Sequence, residues 1–243
     1  RMEYLQLLSR FLMIEFEDGP TEVGKEKTIE FFEKYPLSTK NFMDPEFEKK
    51  KEVKFCLSNL NTFYEIYKDN SAIDEKNGVK YLRKDYYILS LYLLLRHLKN
   101  NYVFDKEQYN LFDIFSREFY IRLTKNDQDD LEILRFRENR QQSKENLEIR
   151  DRIMRKAFFE KNKDLILKDS KRSFDESQKI EIYFRDKGLC QECLKEGKSE
   201  EEAKVSWSQY DADHIIAWIR GGKSDTDQGR VLCTFHNRSK GAK

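Results

Sequence analysis

Four residues in the last quarter of the chain have the types and spacing of a metal clip: Cys190-x-x-Cys193 and Cys233-x-x-His236. In each pair two side chains leave one tight turn and point at a single ion, and three sulfurs with one ring nitrogen suit a tetrahedral zinc ion. A closed set of four leaves no position for water or substrate. Such a site is scaffold: it staples a segment too small to build its own core. The competing reading, a redox pair at Cys190 and Cys193 with Cys233 and His236 incidental, expects a βαβ setting that this sequence does not display. Cys56 stands apart and reads as a small buried apolar side chain.

Between the two halves of the clip lies WSQYDADHIIAWIRGGKSDTD, in which Asp213 and His214 are adjacent and Gly221-Gly222 opens a polar, turn-like stretch. Taken alone, the pair reads more simply as a satisfied buried histidine beside a capping aspartate. The flanking zinc spacing reverses that preference, because it sets the pair on a stapled hairpin with Asn237 directly after the last ligand. Arg220, Lys223, Arg230, Arg238, Lys240 and Lys243 surround this region. They are either ordinary solvated charge or, since they flank the Asp-His pair, phosphate contacts.

This stretch resembles the HNH endonuclease family and its ββα-metal motif. The residues that carry the resemblance are Cys190, Cys193, Asp213-His214-Ile215, Gly221-Gly222, Asp227, Leu232-Cys233, His236-Asn237 and Lys240, in order and with matching spacing over about the last 65 residues. The resemblance implies that His214 is the general base that takes a proton from the attacking water, a role open to an imidazole with a pKa of about 6.5. It implies that Asp213 and Asn237 offer oxygen ligands to a hard divalent ion, magnesium or manganese, which would bind the scissile phosphate of DNA. One position departs from the pattern. Where the family usually has Asn after Asp227, helping to fix the loop and orient the base, this chain has Gln228. The same amide on a longer arm leaves three outcomes open: tolerated geometry, weakened cleavage or inactivation.

The elements that must position these residues follow from composition and periodicity. A 243-residue chain with 38% hydrophobic and 37% charged residues has room for two modest domains, and it lacks the patterns of a secretion signal or a bilayer-spanning run. The longest apolar stretch, YYILSLYLLL, is far shorter than the roughly 20 residues that a spanning helix needs. Clustered thiols suggest a reducing compartment, so the cytoplasm is expected. A net charge of +1 gives no global signal for nucleic acid and leaves binding to a local patch. The first residue, Arg1, suggests a fragment or a processed chain.

All three prolines fall within the first 45 residues, so long helices are expected beyond them. Leu57, Leu60, Phe63, Tyr64 and Tyr67 form one helical stripe, and Tyr87, Leu91, Leu94, Leu95 and Leu98 another, both read as core packing. KDNSAIDEKNGVK between them reads as a loop, and RLTKNDQDD as a second break. Leu147, Ile149, Ile153 and Phe158 sit in a densely charged stretch whose opposite charges three and four apart suit an exposed helix face. After KDSKRSF the texture changes, and SQKIEIYFRD reads as a short helix leading into the clip. The predicted fold is mainly α: a helical domain over residues 1–170, then a small zinc-stapled ββα-metal (HNH) domain over residues 171–243.

The opening RMEYLQLLSRFLMIEFEDG and the later FREN and IRDRIMRKAF resemble the helical region of GmrSD-type proteins. This implies a missing N-terminal nucleotide-binding domain and a setting in bacterial restriction or anti-phage defence. The leading expectation is a metal-dependent DNA endonuclease, with double-stranded DNA as partner. The alternatives are a zinc-stabilised nucleic-acid-binding or regulatory module with an inactive HNH fold, and a helical interaction protein whose zinc knob only packs the tail.

Overall fold

A computed structural model describes residues 2–35, 45–68, 73–74, 79–80, 82–125 and 129–241. The chain divides into two compact units: residues 1–100 with 105–164, and residues 101–104 with 165–243. Among the described residues no helix is long and apolar enough to cross a membrane.

The first unit is helical, with α1 (Met2–Phe16), α2 (Lys25–Lys34), α3 (Pro45–Lys49), α4 (Lys51–Tyr67), α5 (Asp85–Asn101), α6 (Lys106–Thr124), α7 (Leu131–Glu138) and α8 (Lys144–Lys161). The segment between α4 and α5, expected to be a loop, holds a pair of two-residue antiparallel strands, β1 (Ile73–Asp74) and β2 (Val79–Lys80). Residues 69–72, 75–78 and 81, like residues 126–128 of the second polar break, lie outside the described residues. Helix α5 is buried along most of its length and supplies the centre of the core. Tyr87, Leu91, Leu94, Leu95 and Leu98 are all fully buried, and Tyr92 stacks on Phe11 with ring centroids 4.2 Å apart.

The stripe on α4 is rotated from its expected position. Leu60 and Phe63 pack against the core, but Leu57 and Tyr64 are exposed, and the buried face runs through Val53, Cys56, Asn59, Thr62 and Ile66. Two polar residues occupy that face because each is satisfied there. Asn59 donates to buried Glu15 at 2.8 Å, and Thr62 donates to Ser58 O at 3.0 Å. Helix α8 is likewise more than a solvated face, since Arg150 and Asp151 are buried beside Leu147, Ile153, Met154 and Phe158.

The second unit opens with an antiparallel bridge between Tyr102 and Leu167. Then come α9 (Glu176–Arg185), α10 (Gln191–Lys195), α11 (Glu200–Ala203), β3 (Tyr210–His214), β4 (Gly229–Cys233) and α12 (Thr234–Gly241). A capping box between Asp175 and Gln178 starts α9. Strands β3 and β4 pair antiparallel, with Asp213 opposite Arg230 and His214 opposite Gly229. The connection between them needs both glycines: Gly221 has φ +88°, and a Cβ on Gly222 would lie 1.8 Å from Ile216 O. Phe174, Ile182, Leu189, Ala203, Val205, Val231 and Leu232 form a small core together with Cys190 and Cys193.

Candidate metal centre and active site

The clip is assembled from three elements. After α9, Lys187 (φ 55°) and Gly188 (φ 67°) reverse the chain in left-handed conformations. This sets Cys190 at the N-cap of α10, held by its N–H to Ala203 O at 2.8 Å, with Cys193 one turn later. Cys233 ends β4 and His236 lies in the first turn of α12. His236 Nδ1 stands 3.3 Å from Cys190 Sγ, 3.5 Å from Cys193 Sγ and 3.4 Å from Cys233 Sγ. Tetrahedral zinc with ordinary bond lengths would give N···S edges of about 3.5 Å, so this donor set fits such an ion.

The outer partners fit as well. Glu196 Oε1 lies 3.0 Å from His236 Nε2, which leaves Nδ1 as the ligand atom, and Lys198 Nζ lies 3.7 Å from Cys193 Sγ. Burial works to raise the Cys190 thiol, but hydrogen bonds from backbone N–H groups and from His236 outweigh it and bring the pKa down to about 7. Glu196 was not identified from the sequence, where an acid after C-x-x-C looks like any surface charge.

Asp213 and His214 end β3, and their side chains have different environments. Asp213 Oδ2 accepts from Lys240 Nζ at 2.6 Å and from Arg230 Nε at 3.3 Å, while Lys240 also donates to His214 O at 2.6 Å. Lys240 lies one turn beyond Asn237 on α12 and reaches Asp213 from that helix. The Asn237 side chain is half-buried and makes no hydrogen bond to another described residue. A carboxylate and an amide oxygen suit a hard divalent cation, and the two cations already gathered on Asp213 show that this position attracts positive charge.

His214 is 9% exposed and stacks on Phe174, with centroids 4.4 Å apart and planes 29° from parallel. Its Nε2 lies 2.9 Å from Ser224 Oγ, and its Nδ1 has no hydrogen bond to another described residue. Burial lowers its pKa below the usual imidazole value; Asp213 opposes this and Lys240 adds to it. The ring is therefore neutral at pH 7 and able to accept a proton. His214 thus ends the first strand of a ββα unit whose Cys190, Cys193, Cys233 and His236 cluster could hold a metal ion.

Residues 190–243 match the HNH endonuclease family. The chain thus carries an HNH endonuclease domain at its C-terminal end. No curated protein and no solved structure matches the chain.

Within the HNH domain, the departure at Gln228 becomes concrete. Gln228 O accepts from Ile215 N–H at 2.8 Å, which ties the end of the loop to the residue after His214, but the side-chain amide bonds to no other described residue. The basic residues divide into two sets. Arg220, Lys223 and Arg238 are exposed, whereas Arg230 is bonded to Asp213 and Glu192, and Lys240 to Asp213. Lys243 lies outside the described residues. Sequence reasoning passed over Trp218, whose Nε1 donates to Asp169 O at 2.9 Å and whose ring lies under Lys168 Nζ at 5.1 Å and the Arg172 guanidinium at 5.6 Å. It also passed over Phe174 and Ser224, since neither has a spacing that marks it.

Proposed function

We propose that the protein is a metal-dependent HNH endonuclease that hydrolyses DNA phosphodiester bonds. The observation that carries this reading is the setting of His214: buried, stacked on Phe174, next to Asp213 and with no hydrogen bond from Nδ1 to another described residue. In this reading Nδ1 takes the proton of the attacking water. Asp213 and Asn237 hold magnesium or manganese, which when bound supplies Lewis-acid stabilisation of charge on the phosphate and leaving oxygen. Arg220, Lys223 and Arg238, the exposed cations, take the neighbouring phosphates of double-stranded DNA. Zinc in the Cys190, Cys193, Cys233 and His236 clip is structural, and the helical domain up to residue 170 positions the nuclease or contacts partners. A thiol-rich zinc clip suits the reducing cytoplasm. The GmrSD-type resemblance of the helical part supports, in this reading, a setting in bacterial restriction or anti-phage defence.

Incubation with plasmid DNA and magnesium or manganese, beside His214→Ala, tests the reading. Wild type is expected to nick or linearise the plasmid, and His214→Ala to be slower by about 10²–10⁴-fold, the usual contribution of a general base. Equal cleavage by both would remove His214 from the mechanism. Cleavage by neither would leave a zinc-stabilised nucleic-acid-binding module, and Gln228→Asn in the same assay would then show whether the departure at this position accounts for the silence. Phage plating efficiency on cells producing wild type or His214→Ala checks the defence setting.

A further inference from the structure

The hydrogen-bond partner of His214 Nε2 is the Ser224 hydroxyl. Three polar groups of this residue, which is 2% exposed, are all engaged within the second unit. Its N–H donates to Asp169 Oδ2 at 2.7 Å, its carbonyl accepts from Gln178 Nε2 at 2.6 Å, and its hydroxyl lies 2.6 Å from Lys171 O and 2.9 Å from His214 Nε2. A hydroxyl has one proton, and a backbone carbonyl can only accept, so the proton goes to Lys171 O. The oxygen is then left as an acceptor, and His214 Nε2 must be the donor.

A neutral imidazole with hydrogen on Nε2 has its basic lone pair on Nδ1, the nitrogen with no hydrogen bond to another described residue. We propose that Ser224 is a positioning residue that holds His214 as the Nε2–H tautomer and so presents Nδ1 to the water it is to deprotonate. The inference rests on the nuclease reading for its catalytic consequence, though not for the tautomer itself. The residue that the family pattern would charge with orienting the base, Gln228, makes no side-chain hydrogen bond to His214, whereas Ser224 does. The strap from Asp169 to Gln178 supplies the rest of the device: Asp169, Lys171 and Gln178 fix the serine, and Phe174 covers the ring.

The test uses the whole zinc-loaded chain labelled with 15N-histidine. Only three histidines are present, and the His214→Ala spectrum identifies the one of interest. Long-range 1H–15N spectra at fixed neutral pH should show His214 protonated at Nε2 and bare at Nδ1 in wild type, and a mixture of tautomers in Ser224→Ala. Ser224→Thr, which keeps the hydroxyl, should restore the wild-type pattern. Zinc content and far-UV circular dichroism of each variant distinguish loss of the contact from loss of the fold. In the plasmid assay Ser224→Ala should lower kcat by about 10- to 1000-fold with KM little changed, as expected when a base is held in the wrong tautomer. An Nδ1–H tautomer in wild type overturns the assignment, as does a Ser224→Ala variant with unchanged tautomer and unchanged kcat. If wild type cleaves nothing, the nuclease reading fails while the spectra still decide what Ser224 does.

Discussion

With Lys240 Nζ at 2.6 Å and Arg230 Nε at 3.3 Å, the Asp213 carboxylate is already neutralised from two sides. A divalent ion on this oxygen would compete with the lysine, because two cations cannot share one oxygen at contact distance without strong repulsion even in a well-solvated site. Replacing Lys240 by Met keeps the length of the arm and removes the charge. Lys240→Met is expected to tighten Mn2+ binding by about tenfold, equivalent to roughly 1.4 kcal/mol, as read by calorimetry on the zinc-loaded protein. Equal or weaker binding would mean that the lysine chiefly holds the strand end through His214 O. At this scale the sequence was legible where a residue type is rare and its spacing is fixed. Cys190, Cys193, Cys233 and His236 were found because only ligand chemistry explains their spacing, and they do converge. Ser224 and Glu196 were not, because one serine in a polar turn and one acid on a charged helix leave no trace until the chain is folded. Nor does the sequence mark the partners of Arg230 and Lys240, expected as phosphate contacts, both of which bond Asp213.

Helix α8 shows how an element can mislead when it is read by its charge. Arg150 is fully buried, donates to Ser90 Oγ at 3.1 Å and to Gln141 O at 2.8 Å, and also bonds Asn139 O. It thereby ties α8 to α5 and to the turn that precedes α8. Burial brings its pKa down to about 10, so it remains charged at neutral pH. Arg150→Ala would remove the donor to Ser90 Oγ and to the Asn139 and Gln141 carbonyls and leave a void at a fully buried position; it is expected to destabilise the protein by about 2–4 kcal/mol in urea unfolding. Arg152→Ala, on the exposed side of the same helix, is expected to change stability by less than about 0.5 kcal/mol. Equal losses for the two would show that α8 behaves as a uniformly solvated helix. The periodicity of α5 was readable because its buried side is apolar apart from Ser90. That of α4 and α8 was not, because Asn59, Thr62 and Arg150 lie on the buried side by virtue of partners far away in sequence.

Each of the two units has its own source of stability, and this carries a prediction for the whole molecule. The helical unit is built on a continuous core in which α5 is buried along most of its length. The second unit has two five-residue strands, short helices and a core cluster that includes two of the clip cysteines, Cys190 and Cys193. A segment of this size usually needs a staple, and zinc in a site of this kind contributes about 10–16 kcal/mol of apparent binding energy, enough to decide whether the fold forms. Removal of zinc by a chelator, or the Cys193→Ser substitution, is therefore expected to open the second unit while most of the far-UV helical signal persists. Limited trypsin digestion should then cut among Lys187, Lys195, Lys198 and Arg230 and leave a resistant fragment that ends after α8, and added zinc should restore protection to wild type but not to Cys193→Ser. Unchanged digestion after verified loss of zinc would show that the ββα unit holds itself together and would reduce the clip to a surface ornament. Loss of the whole helical signal would show instead that the helical unit depends on the second, which the separate cores argue against.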